Sequence, residues 1–267
     1  MISPDTLLYI YEIPKAEESY FVDTPASFIG LWNEDDFAYL FFTEPQDSYI
    51  QGCIEKNGLL LGGRHEVMYG DWQQLMPSDG LELGGVRFSH PDSGCAKSGV
   101  LLLDPSVVFG SGLHPTSATC VEFIGDLIST GDVEMALDLG SGTGILSLAA
   151  ASLGVKKIVA IDKNRLAYKV TKENVRLNGL ESRIEVFQGE ARVYLDRPAE
   201  MVMANLPFSV LRDLVVMKEV ELHKYWVVSG INREQADTLA GLFEDSGFAI
   251  TRDKVTDPWV TFVAQKQ

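Results

Sequence analysis

From residue 100 to the C-terminus, short apolar runs alternate with segments in which apolar side chains recur every three or four positions. The runs fall at 135–139, 158–161, 184–188, 201–205 and 225–229, and the helical spacing covers 117–128, 145–153, 165–178, 210–219 and 233–246. Strand-length runs that are apolar on both faces, alternating with amphipathic helices, predict a parallel sheet with helices on each side. The last two runs, 248–255 and 259–264, have only Thr256, Asp257 and Pro258 between them. That gap is too short for a crossover helix, so the pair is expected to form an antiparallel hairpin.

The first part of the chain follows a different pattern. Residues 7–11 and 37–42 read as strands, a third strand is expected near 66–68, and 46–56 suits a helix with Tyr49, Ile50, Cys53 and Ile54 on one face. These elements predict a small α+β module over 1–70. Residues 71–99, richer in Gly, Pro, Ser and Asp, read as linker and loops. The expected organisation is therefore 1–70, a linker 71–99, and an α/β domain over 100–267.

Composition narrows the function classes. With 267 residues and 46% hydrophobic content the chain can bury a real core, and no apolar stretch reaches the roughly 20 residues of a membrane span. The first residues lack the basic head and apolar core of a secretory signal. Cys53, Cys95 and Cys120 are scattered without C-x-x-C spacing, which speaks against structural zinc and a disulfide framework and suits a reducing cytoplasm. A net charge of −16 repels phosphate backbones and attracts basic partners, besides keeping the chain soluble.

The strongest chemical signal is Ala136-Leu137-Asp138-Leu139-Gly140-Ser141-Gly142-Thr143-Gly144-Ile145, a strand, a glycine turn and a helix start. A dinucleotide loop would have a third glycine where Ile145 stands. The G-x-G-x-G variant after an acidic residue is the loop of S-adenosylmethionine-dependent methyltransferases, so Asp138, Gly140, Gly142 and Gly144 are candidate cofactor contacts. The alternative for Asp138 is a helix-capping or turn residue, and beside three alternating glycines the functional role is the expected one. Asp162, eighteen residues past Gly144 at the end of the next strand, suits the hydroxyls of a ribose. Glu190, after the third strand, suits an adenine contact or an ordinary turn. Asn205-Leu206-Pro207-Phe208 ends the fourth strand and partly matches the Asn-Pro-Pro-aromatic pattern of nitrogen methyltransferases. There Asn205 and the carbonyls around Leu206 would orient an amine, and Phe208 would wall its alkyl stem. The Gly- and Ser-rich loop 103–117, with Phe109 among the candidate cofactor contacts, could close over a ligand and exclude water. His114 in that loop reads as structural.

The order of Asp104-Pro105-Ser106, Phe109-Gly110-Ser111-Gly112-Leu113-His114-Pro115-Thr116-Ser117, the glycine loop, Ala204-Asn205-Leu206 and Ser229-Gly230-Ile231 resembles the bacterial methyltransferases that act on large-subunit ribosomal protein eleven. The resemblance covers about residues 71–267. It implies a class I methyltransferase fold preceded by a ferredoxin-like substrate domain, methylation of lysine side chains and an N-terminal amine, S-adenosylmethionine as cofactor, no metal, and a basic ribosomal protein as partner. Carried over by motif, cofactor contacts fall on Ser117, Gly140, Asp162 and Asn205. Ser106 stands where that family has glycine, and Ser111, Leu113 and Ser117 where it has threonines. Other readings of the same residues are a related enzyme with another protein substrate, a small-molecule methyltransferase, a nicotinamide oxidoreductase, which Ile145 disfavours, and a catalytically silent binding module.

Overall fold

A computed structural model describes residues 2–14, 16–34, 36–73, 76–93, 98–131 and 133–267. Cys95 lies outside them. The chain divides into two compact units, 1–75 with 164–166, and 76–163 with 167–267.

In the first unit, β1 (Leu7–Pro14), β2 (Phe28–Glu34), β3 (Phe37–Phe42), α1 (Asp47–Asn57), β4 (Gly63–Met68) and the single turn α2 (Tyr69–Trp72) follow in order. The sheet runs β2-β3-β1-β4 with every neighbour antiparallel, which is the ferredoxin-like strand order. Of the two crossover helices of that fold, α1 is present, and a 3-10 turn at Glu18–Tyr20 stands where the other would be. Alternation along β1 and β3 buries Tyr11, Ile13, Ala38, Leu40 and Phe42 against Ile50, Cys53 and Ile54 of α1, the helix face expected from its spacing.

The second unit begins with β5 (Leu81–Leu83), β6 (Val86–Ser89) and β7 (Val100–Leu102), a small sheet of an antiparallel hairpin and one parallel strand. The stretch 71–99 is therefore more than linker and loops. Leu83, Val86 and Phe88 are buried in the core of this unit, which gives the hairpin an apolar face to fold on. Next come α3 (Pro115–Ser129), β8 (Met135–Leu139), α4 (Ile145–Leu153), β9 (Lys157–Asp162), α5 (Arg165–Leu177), β10 (Ile184–Gln188), β11 (Met201–Asn205), α6 (Phe208–Val215), β12 (Tyr225–Asn232), α7 (Arg233–Asp245), β13 (Phe248–Thr256) and β14 (Trp259–Lys266). The sheet order is β10-β9-β8-β11-β12-β14-β13, and β14 alone runs against its neighbours. The mostly parallel sheet and terminal hairpin are those the apolar pattern predicts.

Period-2 alternation splits each strand between two cores. Ala136, Ile158, Ala160, Met201, Met203 and Val227 join residues of α3 and α4 on one face. Leu137, Leu139, Val159, Ile161, Val202, Ala204 and Val228 join residues of α6 and α7 on the other. Two departures from the expected elements have local causes. Strand β2 escapes the alternation because its pairing with β3 shifts register between Phe28 and Gly30. Helix α6 starts at Phe208, behind Pro207 at its N-cap, and stops at Val215. Met217 then takes an extended backbone, φ −78° and ψ 142°, before a 3-10 turn at Lys218–Leu222.

Candidate active site

The predicted site residues gather where open parallel sheets hold ligands, beyond the C-terminal strand ends. The core alternation puts Asp138 on the same sheet face as Ala136, beneath the start of α4. Its carboxylate accepts from the Ser147 hydroxyl at 2.5 Å and the Ser147 amide at 3.1 Å. Asp138 is 1% exposed and its pKa is pushed up to about 6, because burial outweighs the two Ser147 bonds. The geometry thus gives this side chain the helix-capping role, satisfying one of the orphan amides of α4.

Asp162 closes β9, and its Oδ2 accepts the Gly142 amide at 3.0 Å, so the carboxylate stands at the rim of the glycine loop. Gly140, Gly142 and Gly144 all have positive φ. A Cβ on Gly140 would lie 2.2 Å from Leu206 Cδ2, and one on Gly142 would lie 2.7 Å from the Phe109 carbonyl oxygen. Only bare backbone lets the loop pass between the 103–114 segment and the turn after β11. Ile145 is buried, which fills the place a third glycine would leave open.

The loop before α3 is tied down at several points. Thr143 donates to the Gly110 carbonyl at 2.7 Å. Asn174 of α5, fully buried, exchanges bonds with both backbone groups of Asp104 and donates to the Thr143 carbonyl, each at 2.9 Å. Asn178 does the same for Leu102, at 2.8 and 2.7 Å. Ser106 adopts φ 47°, the left-handed region, while its amide donates to the Asp104 carboxylate. That backbone explains the glycine expected there from the resemblance. Phe109 is 49% exposed at the loop's crest.

Asn205 ends β11, and its Nδ2 donates to Thr116 Oγ1 at 3.0 Å. The following turn is pinned by the Leu206 amide bonding the Ser229 carbonyl at 3.1 Å, beside a bulge in β12 between Val228 and Ile231. Leu206 lies across Gly140. Phe208 opens α6, half-buried against the α6–α7 core. Ser117 is buried in the first turn of α3, one residue beyond Thr116. His114 caps α3, as a structural histidine would: Nδ1 accepts the Thr116 amide at 3.4 Å and lies 2.7 Å from the Thr116 hydroxyl. Burial lowers its pKa.

Glu190 is exposed at the start of a 3-10 turn and caps nothing, while the neighbouring Gly189 amide is spent on the Asp162 carbonyl. The structure thus brings Phe109 against Gly142, Asp162 onto Gly142 and Leu206 against Gly140, ties Asn205 to Thr116, and reaches Glu190 only through the strand end. Sequence reasoning missed Thr116 and Asn174. Thr116 had a signal, its place between His114 and a candidate cofactor contact; Asn174 had none, being one polar residue on an amphipathic helix.

The donor set suits S-adenosylmethionine. The glycine loop brings bare backbone to a helix start, and Asp162 at its rim is an acceptor suited to a diol. Among the described residues no three His, Cys, Asp or Glu side chains cluster as a metal site, and no helix is long and apolar enough to cross a membrane.

Sheet order, reversed β14 and glycine loop together define a class I methyltransferase fold. Residues 88–267 match the family model described as ribosomal protein L11 methyltransferase (PrmA), and the chain belongs to that family. Relatives named ribosomal protein L11 methyltransferase include one from Desulforamulus reducens, 34% identical over 166 residues, and one from Staphylococcus saprophyticus, also 34% identical over 166 residues. Each match covers 61% of this chain and 53% of the relative, so the chain spans about half the length of the curated relatives it matches. A crystal structure of ribosomal protein L11 methylase from Lactobacillus delbrueckii subsp. bulgaricus shares the fold, with TM-score 0.54 and 23% identity over 63% of this chain and 86% of that one.

Proposed function

We propose that this chain is an S-adenosylmethionine-dependent protein N-methyltransferase acting on amine groups, chiefly lysine, of large-subunit ribosomal protein eleven in the cytoplasm. The observation that carries this reading is Asn205 at the end of β11, one strand from the glycine loop, within a chain of this family. The substrate follows from family membership, and the charge of −16 favours a basic partner.

The glycine loop, Asp162, Ser117, Phe109, Glu190 and Asn205 would hold the cofactor. When bound, S-adenosylmethionine supplies a methyl carbon open to in-line displacement by a nitrogen lone pair. A free lysine amine has a pKa of about 10.4 and arrives mostly protonated. Desolvation in the site lowers that value. The groups tied to Asn205 help by being uncharged: Thr116 is a hydroxyl, and burial lowers the pKa of His114, which favours the neutral ring. Neither of them holds the proton on the amine. Asn205 and the carbonyls around Leu206 orient the nitrogen, Phe208 walls its stem, and the loop 103–117 excludes water, so most of the rate comes from positioning.

Incubation with labelled S-adenosylmethionine and purified ribosomal protein eleven, followed by mass spectrometry, should place methyl groups on amines. Label on another protein from lysate would keep the chemistry and move the substrate. Calorimetry should show binding of S-adenosylhomocysteine, weakened in Asp162→Ala by about 1.5–3 kcal/mol for lost bonds to a charged group. Binding of NAD with no response to S-adenosylhomocysteine would overturn the reading.

A further inference from the structure

An asparagine side chain can face an incoming amine with either end, and only its carbonyl end can accept an N–H. The hydrogen bonds around Asn205 decide between the two. Asn205 Nδ2 has only protons to give, so Thr116 Oγ1, 3.0 Å away, accepts from it. A hydroxyl carries one proton, and among the described residues Thr116 Oγ1 has one further hydrogen-bond partner, His114 Nδ1 at 2.7 Å. Thr116 therefore donates to the imidazole. The ring can receive that proton only if Nδ1 is bare, and the helix cap makes it so: the Thr116 backbone amide also points at Nδ1, at 3.4 Å. The reversed arrangement, with Asn205 Oδ1 accepting from Thr116, would need a proton on Nδ1, set against that amide. The start of α3 thereby fixes the direction of the whole relay, from Asn205 Nδ2 to Thr116 to His114. The rings of Phe109 and Trp259 pack against the imidazole edge-on, with centroids 5.3 and 5.2 Å away, and restrict its rotation. Thr116 is 2% exposed, so water cannot readily substitute for either partner.

We propose that Thr116 and His114 are positioning residues whose relay locks the Asn205 amide with its donor end on Thr116 and its carbonyl end toward the substrate amine. The inference rests on the amine-methylation reading for its consequence and on the hydrogen-bond geometry for its substance. Neither residue touches the reacting atoms. Their effect is on the orientation of the nitrogen lone pair, so they act on turnover and leave cofactor affinity nearly alone.

The test compares wild type with T116V, T116S and H114N. Valine keeps the shape of threonine and removes the hydroxyl; serine restores the hydroxyl. Asparagine at 114 offers a carbonyl in place of Nδ1 and is itself a good helix cap. Calorimetry with S-adenosylhomocysteine, single-turnover transfer to ribosomal protein eleven, and the 15N spectrum of His114 are read on each. T116V should lose about tenfold or more in transfer rate with cofactor affinity within about threefold, whereas T116S and H114N should stay within about threefold in both. The wild-type imidazole should show its proton on Nε2. A T116V rate equal to wild type, equal losses in rate and affinity, or a proton on Nδ1 would overturn the relay. If T116V does not fold, H114N against H114F makes the same comparison, with the phenylalanine variant expected to be slow. A wild-type protein that transfers nothing to any amine overturns the function reading instead, and the His114 tautomer then decides the relay by itself.

Discussion

Asp138 and Asp162 stand on adjacent strands at one sheet edge, yet their surroundings give them different work. Asp162 meets the glycine loop at its rim, while Asp138 lies beneath a helix, held by Ser147. Buried, Asp138 has a pKa of about 6 against an ordinary 3.8. The folded state thus keeps a proton at a pH where the unfolded chain has released it. The stability this confers is full below about pH 4 and is lost as pH rises through 6, amounting to about 3 kcal/mol. Asp138→Asn should remove that slope, and denaturant unfolding of both proteins at pH 4 and 7.5 will show whether wild type loses about 2–3 kcal/mol more than the variant. Ser106 gives a second prediction. Its φ of 47° favours a residue without Cβ. Ser106→Gly should raise stability by roughly 0.5–1 kcal/mol, read as a higher urea midpoint at unchanged slope.

At the scale of elements, the site is a meeting of three connections: the segment before α3, the turn between β8 and α4, and the turn after β11. Asn174 holds the first two together from α5. Asn174→Ala should remove the partner of one buried and two part-buried backbone groups and cost about 2–4 kcal/mol. Faster hydrogen exchange at the Asp104 amide, ahead of global unfolding, would locate the loss. Such connections explain what the sequence did and did not disclose. The strands of the second unit were legible because burial on both faces leaves continuous apolar runs, and the glycine loop because its backbone tolerates so few residue types. The hairpin of β5 and β6 was not, since its Gly-Gly turn and short strands look like loop until Leu83, Val86 and Phe88 find their core. Strand β2 hid behind a bulge. Asn174 was invisible for another reason, and the signal at Thr116 did not reach as far as Asn205: a polar residue's partner is set by tertiary contact, which local pattern does not carry. Asp138 was legible as special, but pattern could not say whether a ligand or a helix would claim its carboxylate.

At the scale of the whole chain, hydrophobic cores that share no residue across residues 75–76 imply two folding units. The core of the first is built from residues 9–59, and both cores of the second from residues beyond 75. Every candidate cofactor contact lies between Phe109 and Asn205, and the matched family region begins at residue 88. Deleting residues 1–75 should therefore leave a folded protein that binds S-adenosylhomocysteine within a few-fold of the full chain, since no contact proposed for the cofactor is removed. Transfer to ribosomal protein eleven should fall steeply, because a lysine must be delivered to the site by binding energy from remote parts of its protein, and the ferredoxin-like unit is the proposed source of that energy. The loss should appear at sub-saturating substrate and persist as a lower turnover number, as truncation of a remote contact does when binding energy is used for orientation. Full-rate transfer by residues 76–267 would place substrate recognition within the second unit, where the acidic surface implied by the chain's charge would have to supply it alone. Loss of cofactor binding together with transfer would mean that the second unit needs the first to fold, and circular dichroism of the truncated protein separates that outcome from the other two.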